Sequence, residues 1–300
     1  MAQNDIHNYF VGHKFSSADY AIYAYGCFEV PLIAMLSESV TSVLIPRMNK
    51  LQLAGDHDEM IRLTARASQK LALFYFPIYV FLMITAKTFI ITLFTQEYAA
   101  SADIFVINIT MLPFMVIITD PILRSYKELG RLFLLTRILI LTALIAVLYF
   151  GLATFSLTMM ITVAIGAILI EKFVAETMII KKLGLGWRHL PLLKNVAKTA
   201  VLSVAAGIVT YFVYENIHVD LLNLGERFAE SAFSTTKLSI LNFVGGGLVL
   251  LICGLVYLPI YLLGASLWGV IEEDEKRSVK DIMRKVIPRR QTPPVAETQS

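Results

Sequence analysis

Apolar residues run along this chain in long blocks separated by short polar breaks, and the blocks predict seven helical spans. They cover residues 19–45, 71–94, 102–123, 132–150, 155–180, 196–214 and 238–267. Pro46 ends the first, Pro77 lies inside the second, and Pro113 and Pro121 break the third. Gly151 makes a tight turn between the fourth and fifth. The seventh carries Gly245, Gly246 and Gly247 early and Pro259 late, and its excess length predicts tilt, a kink at Pro259 or protrusion. Each block approaches or exceeds the ~20 residues that cross a bilayer core. Only a helix satisfies its own backbone there without closing a barrel. The expected fold class is all-α, a polytopic transmembrane bundle of about seven spans.

Composition supports this reading. The chain is 57% hydrophobic and 16% charged, with a mean hydropathy of +0.68. A water-soluble domain cannot hide that much apolar surface in one core. Cys27 and Cys253, the only cysteines, fall inside apolar runs, which excludes a disulfide framework and a thiolate metal site. Residues 1–18 are polar and lack the basic-then-apolar pattern of a cleavable signal.

Charge sets the expected orientation. Arg47, Lys50, Arg62, Arg66 and Lys70 follow the first span, and Arg124, Lys127, Arg131 and Arg137 follow the third. Lys181, Lys182, Arg188, Lys194 and Lys198 follow the fifth. The tail adds Lys276, Arg277, Lys280, Arg284, Lys285, Arg289 and Arg290. The alternate connections hold only Lys14, Arg227 and Lys237. The positive-inside rule places the basic side and the C-terminus in the cytoplasm and, with seven spans, the N-terminus outside. The protein is thus expected to be multi-pass in the plasma (inner) membrane, with lipid and not nucleic acid around it.

A polar head crossing first without a signal is unusual, and "IHNYFVGHKF" reads as the outer end of a preceding helix. Residues 1–18 are therefore expected to be an external tail that ends a missing upstream helix. Residues 19–183 form a five-helix part and residues 184–269 the last two spans, with an external loop near 215–237. Residues 270–300 form a basic cytoplasmic tail. Within it, residues 272–287 suit a helix with Val279, Ile282, Met283 and Val286 on one face, lying on the anionic leaflet or in solvent. Residues 288–300 read as disordered.

Within "CFEVPLIAMLSES", Glu29 and Glu38 are nine residues apart, on opposite faces of a straight helix, with Pro31 between them to kink it. Glu38 shares a face with Thr41 and Ser42. A carboxylate at that depth needs water or a partner. Lys87 lies at matched depth on the next span and is the candidate partner of Glu29, unless it snorkels outward. Asp120, Arg124 and Arg137 are candidates to cluster with Glu38 near the inner side, unless Arg137 reaches the headgroups. Lys172 and Glu176 read as a structural i, i+4 pair. All five histidines fall outside the spans, without metal-ligand spacing, and no phosphate-binding loop occurs.

The run "YAIYAYGCFEVPLIAMLSESVTSVLIPRMNKLQLAGD", then "LFTQEYAASADIF" and "PILRSYKELGR", resembles the polysaccharide (O-antigen type) flippases of the MATE-like transporter superfamily. The resemblance spans residues 7–183 and extends to the last two spans by topology. It implies one lobe, the C-terminal half, of a two-lobed transporter for lipid-linked oligosaccharide in polysaccharide or lipopolysaccharide biosynthesis. The implied partners are an N-terminal lobe or a second copy of the chain. Transport by alternating access is implied rather than catalysis, with no cofactor beyond coupling to a proton or sodium gradient. Glu29, Glu38, Thr41, Ser42, Lys87, Asp120, Arg124 and Arg137 are the cavity candidates. Three alternatives stand beside it. They are a cation or drug exporter lobe of the same superfamily, a non-transporting scaffold from a split or shortened gene, and a membrane glycosyl- or acyltransferase. Short outer loops and the expected lack of an intramembrane histidine weigh against the last.

Overall fold

A computed structural model describes residues 2–233 and 237–270, and every described element is helical. The expected inner-leaflet helix over residues 272–287 and the tail beyond it lie outside the described residues.

The chain opens with α1 (Ala2–Lys14) and α2 (Ser17–Gly26), the latter capped by Ser16, whose side chain accepts from Asp19 N. The head, read from sequence as the outer end of a helix, is helical and packs on the bundle through α2, α8 and α9. After a non-helical link comes α3 (Pro31–Ala54), at 52° to α2. Pro31 takes the first helical turn, where its missing N–H costs nothing, and holds Val30 extended. Gly55, at φ 71°, ends α3 in a left-handed turn, and Asp56 immediately caps α4 (His57–Phe94). At 38 residues, α4 is ~57 Å long and forms the axis of the fold.

The third expected span is three short pieces: α5 (Ser101–Ile109), α6 (Leu112–Met115) and α7 (Asp120–Ser125). Pro113 and Pro121 remove donors, and the backbone opens between residues 116 and 119. The pieces still run the length of the bundle. Ser101 Oγ donates to Ile22 O at 2.7 Å at one end, while Tyr126 meets His57 and Met60 at the other. Among the described residues, five helices are long and apolar enough to cross a membrane, or six with the bent α2–α3 pair, where about seven spans were expected.

A hairpin follows, α8 (Lys127–Gly151) and α9 (Leu157–Leu183). Phe155 packs so closely on Gly151 that a Cβ there would lie 2.2 Å from the ring. At this end Lys14 Nζ donates to Phe155 O at 2.6 Å, which docks α1 onto the hairpin. A 3-10 turn (Trp187–Leu193) leads into α10 (Lys194–Phe233), and α11 (Leu238–Leu267) returns beside it.

The loop expected near 215–237 is largely helix, because α10 continues to Phe233. Leu222, Leu224, Glu226 and Ala229 favour helix, and α11 supplies a surface to pack on. The contact needs small residues. A Cβ on Gly225 would lie 2.6 Å from Gly245 Cα, and one on Gly246 would lie 1.9 Å from Thr92 Oγ1. Tyrosines tie the helices further. Tyr75, Tyr257 and Tyr261 donate to the carbonyls of Ile33, Ser203 and Leu73 at 3.0, 3.2 and 3.0 Å. One core joins α3 through α7 with the basic ends of α8 and α9. A second joins α1, α2 and α5 with their far ends, and a third joins α4, α10 and α11.

Candidate functional site

The α2–α3 break places Glu29 in the link, outside both helices and exposed. The opposite-faces argument for Glu29 and Glu38 therefore does not apply, because no continuous helix joins them. Lys87 is exposed on α4, and no ion pair joins it to Glu29. The link does meet α4, where the Phe28 ring packs on Phe89 and Phe94, but Glu29 beside it is left exposed.

On α3, Ile33, Leu44 and Met48 pack inward and Val40 lies beside them. The opposite face is open and carries Met35, Glu38, Ser42 and Val43, with Thr41 half-buried at its edge. Ser42 Oγ donates to Ser39 O at 2.9 Å, so its donor is satisfied on its own helix. Glu38 makes no ion pair. The result is a polar stripe on an apolar helix, facing away from the rest of the chain.

The basic cluster expected around Glu38 divides instead into local pairs. Arg124 reaches Asp120 at 3.4 Å along α7, both well exposed. Arg137 does not approach Glu38. Its Nε and Nη2 donate across the hairpin to Glu171 Oε1, the first at 2.9 Å, and the guanidinium also lies 5.0 Å from the Phe133 ring centre. Glu171 is 12% exposed, and i, i+34 proximity is a property of the hairpin that spacing along one helix does not reveal.

The most developed polar site was read in sequence only as an i, i+4 pair. Lys172 Nζ donates to Ile117 O and, at 3.2 Å, to Thr119 Oγ1. These are groups of the open backbone between α6 and α7. The ammonium thus satisfies a carbonyl that the helix break released. The signal available in sequence was the conjunction of two prolines in one apolar block with a lysine inside another. Beside this point lies a cavity of about 500 Å³, bounded by α4, α7, α9 and the 3-10 turn. Gln69 Nε2 holds the turn over it, donating to Leu192 O at 2.8 Å. Ser68, Thr119 and Glu176 are among its polar lining groups, and Ser68 Oγ is buried without a hydrogen-bond partner.

At the basic end, Lys182 pairs with Glu128, and its ammonium lies 4.9 Å from the Tyr126 ring centre. Burial pushes the Tyr126 phenol up, opposed in part by Lys182. His7, on α1 outside the candidate spans, is nonetheless buried against the bundle. It is 5% exposed, with Nδ1 and Tyr23 Oη 2.8 Å apart. Among the described residues no cluster of His, Cys, Asp and Glu could hold a metal ion.

No curated protein and no solved structure matches the chain. Residues 1–103, which hold the bent α2–α3 pair, the open α3 face and all of α4, are similar to a family described as polysaccharide biosynthesis protein.

Proposed function

We propose that this chain is one lobe of a two-lobed transporter that moves lipid-linked oligosaccharide across the plasma (inner) membrane during polysaccharide biosynthesis. Its N-terminus lies outside and its basic end in the cytoplasm, and it acts by alternating access rather than by bond chemistry. The observation that carries this reading is the open face of α3. A carboxylate, Glu38, stands there with Ser42 and Thr41 on a helix otherwise suited to lipid, inside the segment similar to the polysaccharide family. Held in hydrocarbon, an ionised carboxylate costs several kcal/mol, so a hydrated surface must cover this stripe. A second lobe facing α3 across a cavity supplies one. The broken α2–α3 pair supports the same reading, because transporter cavities are often built at discontinuous helices. Glu29 lies at that break, and Arg124 with Asp120 lies exposed on α7, which packs on α3.

The test is expression in a host lacking its own saccharide flippase, scored for surface polysaccharide. The chain alone is expected to restore none, and co-expression with the N-terminal lobe of such a transporter is expected to restore it. Glu38→Ala should abolish the restored signal at unchanged membrane abundance. Restoration by the chain alone would replace the two-lobe partner with a second copy. Loss of a cation gradient response, with no change in polysaccharide, would favour the exporter reading.

A further inference from the structure

We infer that the break between α6 and α7 is a monovalent-cation site whose occupant is the chain's own Lys172 ammonium. The inference does not depend on what the protein transports.

The backbone opens between residues 116 and 119, which frees carbonyls inside a bundle where water is scarce. Such unwound carbonyls are the groups with which membrane proteins coordinate small cations. Here Ile117 O and Thr119 Oγ1 both face one positive charge, and it arrives on a side chain from α9. Glu176, Asp120 and Glu171 are the carboxylates whose field acts on that charge. Glu176 lies one turn along the same helix and also lines the adjoining cavity.

The groups that touch the ammonium are therefore a carbonyl and a hydroxyl, with the Glu176 carboxylate acting on it from one helical turn away. This all-oxygen set suits a hard monovalent ion as well as it suits N–H donors. The cavity adds a further independent sign. Ser68, 1% exposed, lines it from α4 with its Oγ unpartnered, so one more oxygen faces the same space. The cavity also gives a free ion a route to the break once the lysine is removed. A tethered ammonium pays no entropy of capture and cannot dissociate, so the break is held closed without an ion from solution. Wild-type protein then has no structural need for sodium.

The experiment is thermal unfolding of the detergent-purified full chain in matched chloride salts of sodium and choline. Wild type is expected to unfold at the same temperature in both. Lys172→Ala should unfold earlier in choline, and sodium should raise its Tm saturably, by about 2–4 °C. Adding Glu176→Gln to that variant should remove the sodium response. Where the alanine variant does not fold, Lys172→Gln is used and the same expectations hold. Sodium-selective stabilisation of wild type would overturn the inference, because the ammonium would not be filling the site. An equal Tm in both salts for the Lys172 variants would overturn it too, because the break would then bind no ion.

Discussion

Arg137 on α8 and Glu171 on α9 form one of the ion-pair ties between the two arms of their hairpin, with two guanidinium nitrogens on one carboxylate oxygen. Glu171 is largely enclosed and Arg137 is 46% exposed. The pair therefore stands between exposed pairs, at ~0.2–1 kcal/mol, and buried ones, where removing one partner costs ~3–5 kcal/mol. Glu171→Gln and Arg137→Met should each destabilise the protein, and the double variant should lose ~1 kcal/mol less than their sum. Thermal unfolding of all four forms measures the cycle. Glu29→Gln and Lys87→Met serve as the contrast, and their effects should add.

Gly246 is set against Thr92 with no room for a methyl group, while nothing lies within 4 Å of a Cβ on Gly247. Gly246→Ala should cost ~1–3 kcal/mol through overpacking of α11 on α4. Gly247→Ala should be neutral or stabilising by ~0.5–1 kcal/mol, the helix preference for alanine. Thr92→Ala should recover part of the loss in Gly246→Ala. Equal effects at the two glycines would mean that α11 does not meet α4 at this register.

Thr95 ends α4 at φ 80° and ψ 167°, a region that side chains other than glycine's rarely enter. The strain is worth ~1–3 kcal/mol and exceeds the ~0.5–1 kcal/mol of extra backbone entropy that glycine loses on folding. Thr95→Gly is expected to raise Tm by about 2–4 °C. A lower Tm would show that the threonine side chain is worth more than its strain.

The two ends of α4 should lie on opposite sides of the membrane. Ser101 is a poor reporter because it is fully buried, whereas Gln96 and Asp58 are exposed. In a background of Cys27→Ala and Cys253→Ala, Gln96→Cys should react with an impermeant thiol reagent from outside. Asp58→Cys should react only after the membrane is opened. Labelling of both from one side would overturn the orientation.

Blocks of apolar residues longer than the bilayer core leave a chain little choice but helix, because no other open structure satisfies its backbone in lipid. That is why α4, α8, α9 and α11 were legible from sequence, along with a kink at Pro31 and breaks at Pro113 and Pro121. Charge along the chain likewise marked the basic end that the hairpin partners Lys182 and Glu128 share. What a breakpoint becomes is a different matter. Whether Pro31 bends a helix by a few degrees or opens a link around Glu29 depends on α5 packing against α2, a contact between residues some 80 apart. The same holds for side-chain partners. Periodicity places a charge on a face of its own helix, but Arg137 found Glu171, and Lys172 found Ile117 O, across helices whose rotation is set by bulky and small residues elsewhere. Tertiary packing alone decided those meetings, because an ionisable group in a bundle takes whichever partner the fixed helix faces bring within reach.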